Sequence, residues 1–223
     1  TLPLYYGILD EGNRIRHILM KDEIDATFAA DAYARISGGI GVCDATAGCG
    51  AIKFISGLAE AYNTSIPVIA IGSEMEGDWL AARYRGTGSQ VVDSKEVLKP
   101  VTKWQACLPH VNKMPELVQT AAQMAGSGRP GPVFIECPWR PFREEYTGPD
   151  YESNRKLASL TDNRPTASRD EVDEAIQVLK EAKRPVMLLG GGAWRSGARA
   201  EITALAERMA MPAAASLTGK GGL

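Results

Sequence analysis

The stretch GVCDATAGCGAIKFISGLAEAYNTSIPVIAIG, residues 41–72, decides the fold. A short apolar run, Gly41–Ala45, leads through a turn holding Gly48 and Gly50 into a helical pattern over Ala51–Asn63, and a second apolar run follows at Val68–Gly72. Continuous apolar runs joined by one helix read as parallel strands, buried on both faces and linked by a covering helix. Outward from this unit the alternation recurs. Strands are predicted at His17–Met20, Thr102–Cys107, Val133–Cys137, Val186–Leu189 and Ala213–Ser216, and helices at Leu4–Asn13, Ile24–Ser37, Pro115–Gly126, Arg169–Glu181 and Ala198–Met209. The fold class is therefore α/β with a parallel sheet.

SGRPGPVFIECP and EAKRPVMLLGGG are two helix-to-strand joints of one kind, each with a basic residue and a proline before a buried strand. Between them the chain is rich in Pro, Asn, Asp and Ser and has no apolar period, as a surface linker would be. Ser168 reads as an N-cap, with Glu171 completing a capping box. The expected organisation is a first domain over residues 1–143, a linker over 144–165 and a second, Rossmann-like domain over 166–223. The second has two strands and two helices, too few to close a doubly wound sheet, so it is expected to be a partial domain.

Net charge is −2 over 223 residues, so no basic field points to nucleic acid or to an anionic membrane. No apolar run is long enough for a membrane helix. Cys43, Cys49, Cys107 and Cys137 are scattered without a CxxC pair, and His17 and His110 are the only histidines, which argues against a zinc site. Cys43, Cys107 and Cys137 fall in strand-like runs and read as reduced core residues of a cytoplasmic protein.

In open parallel sheets, ligands sit outside the carboxyl ends of the strands. Three loops lie there: Lys21-Asp22-Glu23, the turn beginning Thr46-Ala47-Gly48-Cys49-Gly50, and SEMEGDWLAARYRGTGSQ. The second lacks the Gly-Lys-Ser/Thr of a phosphate-binding P-loop. It is either an anion-facing helix start or a plain strand-to-helix turn. GGGAWRSGA, residues 190–198, does not fit GxGxxG. Glu23 is either an acid drawn to a helix start by the macrodipole or a group with a chemical task. Arg83 and Arg85 are either solvated or partners for a carboxylate or a CoA phosphate. His17 is expected to pack within its strand and His110 to lie in a loop.

DEIDATFAADAYAR, then TAGCGAIKFISGLAEAYNTSIPVIAIGSE, then KPVTKW and AGSGRPGPVFIECP, resemble the pyrimidine-binding domain of thiamine diphosphate enzymes, in particular the acetolactate synthase large-subunit family. EAKRPVMLLGGGAWRSGARAEITALAERMAMPAAASLTGKG is similar to the opening of that family's central domain. The resemblance implies that Glu23, ten residues before Tyr33 of an intact Tyr-Ala-Arg triplet, is the catalytic carboxyl. Bonded to the aminopyrimidine, such a group promotes the imino tautomer, and it works best desolvated; Ile24, Ala26, Phe28 and Ala29 are expected to surround it. The cofactor-binding residues implied are Thr46, Ala47, Gly48, Cys49, Gly50, Lys53 and Gln90.

The resemblance further implies thiamine diphosphate as cofactor, Mg held by a diphosphate-binding domain beyond Leu223, FAD in synthase-like members, a homodimer or tetramer, and a 2-oxo acid or related carbonyl substrate for a carboligase, lyase or decarboxylase. A first strand and helix should precede Thr1, and the 223-residue piece should be inactive by itself. The alternative is a non-catalytic nucleotide-binding or assembly module derived from the family. Several positions depart from the family pattern. Asp22 replaces a common His, and its like charge should raise the Glu23 pKa. Gly48-Cys49-Gly50 replaces Gly-Pro-Gly, Lys53 replaces an Asn, and Ser89-Gln90-Val91 keeps only the Gln of Phe-Gln-Glu.

Overall fold

The computed structural model describes residues 2–75, 88–149 and 166–222. Arg83, Arg85 and linker residues 150–165 lie outside the described residues. The chain divides into two compact units, Thr1–Asn163 and Arg164–Leu223.

The first unit holds helices α1 (Leu2–Asp10), α2 (Glu23–Ser37), α3 (Cys49–Ile52), α4 (Ile55–Thr64), α5 (Ser94–Leu98), α6 (Met114–Gly126) and α7 (Trp139–Arg143). Its strands are β1 (Gly41–Ala45), β2 (Val68–Glu74), β3 (Trp104–Cys107) and β4 (Val133–Pro138). They form one sheet in the order β1-β2-β4-β3. Every pairing is parallel, with Gly41 opposite Val68, Ile69 opposite Val133 and Trp104 opposite Val133. The sequence prediction of a parallel α/β sheet is thus met, and β1 begins and ends where the apolar run does. Both faces are covered. Phe54, Leu58, Ile66 and Phe134 are fully buried in one cluster, and Leu108, Ala121, Ala125 and Ile135 in a second. Each large side chain buried in this way contributes about 1.5–3 kcal/mol.

α2 starts where Asp22 accepts a hydrogen bond from the Ile24 N–H at 2.8 Å, and it ends at Gly38 in the left-handed conformation. Arg35 ties it to α4, donating to Asp31 at 2.6 Å, Glu60 at 3.1 Å and Thr64 at 2.7 Å. α2 also exposes Phe28, Tyr33 and Ile36.

Two expectations fail. His17–Met20 is not a strand: residues 16–20 carry no regular structure, and Ile18 and Leu19 are exposed. An apolar run becomes a strand only where a neighbour supplies the ladder, and among the described residues none pairs with it. The helix expected over Ala51–Asn63 is broken into α3 and α4. The Lys53 N–H bonds the Gly50 carbonyl and the Phe54 N–H bonds the Ala51 carbonyl, the tighter i→i−3 pattern, which sets Phe54 in the core and Lys53 toward solvent.

In the second unit, helices α8 (Arg169–Glu181), α9 (Gly191–Arg195) and α10 (Arg199–Arg208) accompany strands β5 (Met187–Leu189) and β6 (Ala213–Ala215), which pair in parallel. The capping box forms as read: the Ser168 hydroxyl accepts from the Glu171 N–H at 3.3 Å, and the Glu171 carboxylate accepts from the Ser168 N–H at 2.8 Å.

Candidate active site

The carboxyl ends of the parallel strands bring together pieces distant in sequence. β1 delivers the chain into the turn of residues 46–48, where Gly48 has φ +56°, a conformation open to glycine. A Cβ there would lie 1.6 Å from the Gln90 carbonyl oxygen, so the turn packs directly on the backbone of residue 90. At Gly50 a Cβ would lie 3.1 Å from Glu23 Oε1 and 2.9 Å from Thr46 Cγ2. The bare glycine therefore lets the Glu23 carboxylate and Thr46 pack closely against the turn.

The chain break between α3 and α4 aims Lys53 at the start of α2. Its Nζ donates to Asp22 Oδ2 at 2.9 Å and to Glu23 Oε2 at 3.0 Å. Lys53, first by its hydrogen bond, holds the Asp22 carboxyl below its usual range, and both carboxylates raise Lys53. Asp22 thus meets Glu23 with its charge engaged by a cation, not as the bare like charge that the sequence suggested. Glu23 Oε1 accepts no hydrogen bond among the described residues.

Of the predicted site residues, Glu23, Thr46, Gly48, Gly50, Lys53 and Gln90 meet in this one region. Ala47 is buried, and Cys49 is exposed at the start of α3. The apolar surround expected for Glu23 is not formed within this chain: Phe28 and Ala29 are exposed, and the Glu23 side chain keeps 28% of its exposure. A cavity of about 670 Å³ opens beside it, bounded by residues 14–23, α2 and β1, with Tyr33 and Thr46 in its wall.

His17 stands in the wall of this cavity, and His110 does not. His17 lies 3.4 Å from Asp44 and against the Tyr5 ring, in place of the expected strand packing. His110 accepts from the Asn112 N–H at 3.1 Å and sits 3.4 Å from Glu144. All four cysteines are free, and Cys43 and Cys137 are buried.

Sequence reasoning missed two buried carboxyls at the same sheet end, Glu74 closing β2 and Glu136 in β4. Burial pushes Glu74 up to about 7, and burial likewise raises Glu136 against the opposing charge of Lys95 at 3.5 Å. The available signal was an acid closing an apolar run, in IGSE and FIECP.

Residues 1–97 match the model described as thiamine pyrophosphate enzyme, N-terminal TPP binding domain, and residues 172–223 match the central domain of the same enzymes. The chain belongs to the thiamine pyrophosphate enzyme family. Within this family it is 36% identical to an acetolactate synthase of Arthrospira platensis, over 99% of this chain and 38% of that protein. It is 34% identical to an acetolactate synthase large subunit of Cyanidium caldarium, over 99% and 38%, and 32% identical to a chloroplastic acetolactate synthase of Arabidopsis thaliana, over 96% and 31%. The chain thus spans somewhat over a third of the length of the first two relatives.

The residues present suit the pyrimidine end of thiamine diphosphate: a carboxylate with one oxygen that accepts no hydrogen bond among the described residues, at the edge of a cavity of about 670 Å³. Among the described residues no cluster of His, Cys, Asp or Glu is arranged to hold a metal ion. Among them, too, no helix is long and apolar enough to cross a membrane.

Proposed function

We propose that this chain forms the pyrimidine-binding part of a thiamine diphosphate-dependent carboligase, lyase or decarboxylase acting on a 2-oxo acid or related carbonyl compound, in the manner of an acetolactate synthase. The observation that carries this reading is the free Oε1 of Glu23 beside Gly50, at the carboxyl end of a parallel sheet. Thiamine diphosphate supplies a thiazolium carbon that becomes a nucleophile once its proton is lost. Glu23 holds a proton at the far nitrogen of the aminopyrimidine. Gly48, Gly50 and the backbone of Gln90 shape the adjoining wall, and Thr46 flanks it.

Mg bound outside the described residues, and FAD as a further cofactor, belong to the same reading. So does a homo-oligomer, supported by the exposed apolar stripe Phe28, Tyr33 and Ile36 on α2. The free cysteines favour a reducing, cytoplasm-like compartment. The retained Gln90 supports synthase-like chemistry, while Ser89 and Val91 leave the substrate open. The domain limits, residues 1–143, 144–165 and 166–223, and the inactivity of the 223-residue chain by itself are parts of the proposal. Turnover of pyruvate by that chain with thiamine diphosphate and Mg would remove the last part.

The test is Glu23→Gln in the full-length enzyme. Proton–deuterium exchange at the thiazolium carbon should slow by about 10²–10⁴-fold, the usual contribution of an acid–base group, with unchanged circular dichroism. Wild-type exchange in a folded variant would return Glu23 to the role of a helix-start acid.

A further inference from the structure

Lys53 bonds two carboxylates that differ in how they are held. Asp22 is committed at both oxygens: Oδ1 accepts the Ile24 N–H at 2.8 Å as the N-cap of α2, and Oδ2 accepts Lys53 at 2.9 Å. Glu23 is committed at one oxygen only, Oε2 to Lys53 at 3.0 Å. No other charged side chain among the described residues pairs with Glu23; Lys21 and Asp25 are its charged neighbours along the chain. Two carboxylates thus meet around one ammonium, with a formal sum of one negative charge.

A lone lysine beside a carboxylate favours the ionised form and opposes proton uptake. That would work against a group whose task is to hold a proton. A second, rigidly held carboxylate changes the outcome. The ammonium can pass wholly to Asp22, giving up its pair with Glu23 but keeping the other, and Glu23 is then free to be protonated. Asp22 resists protonation, because Lys53 and the helix N–H both stabilise its charge.

We propose that Asp22 and Lys53 form a positioning pair: Asp22 draws the Lys53 ammonium off Glu23, and so makes Glu23 the carboxyl of the pair that takes up the proton. This rests on the assignment of Glu23 to the cofactor's pyrimidine.

The decisive variants are Asp22→Asn, which keeps the cap acceptor and removes the charge, Lys53→Met, and the double variant. In the full-length enzyme with thiamine diphosphate and Mg, Asp22→Asn should slow thiazolium proton exchange about tenfold, because Lys53 then pairs with Glu23 alone. Removing the lysine in Asp22→Asn/Lys53→Met should raise the rate above that of Asp22→Asn, because no ammonium then holds Glu23 ionised. A second readout needs no cofactor. The infrared band of protonated Glu23, isolated by subtracting the Glu23→Gln spectrum, should appear about one pH unit lower in Asp22→Asn and return upward in the double variant. Should Asp22→Asn not fold, Lys53→Met alone must move the band to higher pH. Parental exchange and band position in Asp22→Asn would overturn the proposal, as would failure of the lysine removal to rescue. Normal exchange in Glu23→Gln would instead refute the assignment of Glu23 itself, while the infrared bands would still report on the pair.

Discussion

Glu74→Gln should make the protein more stable above neutral pH and flatten its pH dependence. Glu74 is 5% exposed at the end of β2, and burial is the first cause of its rise from 4.5 to about 7, with the charges of Glu136 and Asp93 adding to it. The Met75 N–H, donating to Oε1 at 2.6 Å, works the other way. Because the folded value is raised, the associated stability is fully present below the unfolded value and is lost as pH climbs through the folded one. Each pH unit separating the folded value from the unfolded one is worth about 1.4 kcal/mol, so the loss between pH 5 and pH 8 is roughly 2–3 kcal/mol. Glutamine keeps an acceptor for Met75 and has no proton to lose. Urea unfolding followed by circular dichroism at a series of pH values gives the two slopes. The variant should retain only the smaller decline from Glu136, which burial also raises. Parallel slopes for the two proteins would refute the view that Glu74 is buried with its proton.

Gly48→Ala forces a side chain into φ +56°, with its Cβ 1.6 Å from the Gln90 carbonyl oxygen. The backbone conformation alone should cost about 1–3 kcal/mol, read from the urea midpoint, and thiamine diphosphate affinity should fall because the turn must move away from residue 90. Limited trypsin digestion should cut first between Arg143 and Arg169, where the sequence has the composition of an exposed linker; early cleavage inside Ala51–Asn63, at Lys53, would count against the proposed domain limits.

The sheet was legible because each strand announces itself as a short apolar run, and the limits of β1 and α8 follow directly from apolar period and capping chemistry. The failure at His17–Met20 has a definite cause: composition marks a run as fit for a strand, but a ladder needs a neighbour that composition does not name. The break at Lys53 was hidden because Ala-Ile-Lys-Phe-Ile is as acceptable to one long helix as to two short ones. The region of the site could be found from sheet topology, with Glu23, Gly48 and Gly50 in it. The Lys53 bonds to Asp22 and Glu23, across 31 and 30 positions, could not, because no periodicity links them.

The two kinds of carboxyl at this sheet end also show why a raised pKa does not by itself mark the reacting group. Glu74, near 7, has the value expected of a group poised for proton transfer at neutral pH. Yet it is almost wholly buried, and Oε1 is spent on the backbone N–H of the next residue. Such an acid keeps its proton because neither water nor ligand reaches it. Glu23 is partly open, lines the cavity and has an oxygen that accepts no hydrogen bond among the described residues. General acid–base work requires reach before it requires a matched pKa, so the chemistry belongs to Glu23 and the stability effect to Glu74. On the proposed assignment, the desolvation of Glu23 comes from the bound cofactor and the surfaces that enclose it, and the proposed Asp22–Lys53 pair acts on the same carboxyl.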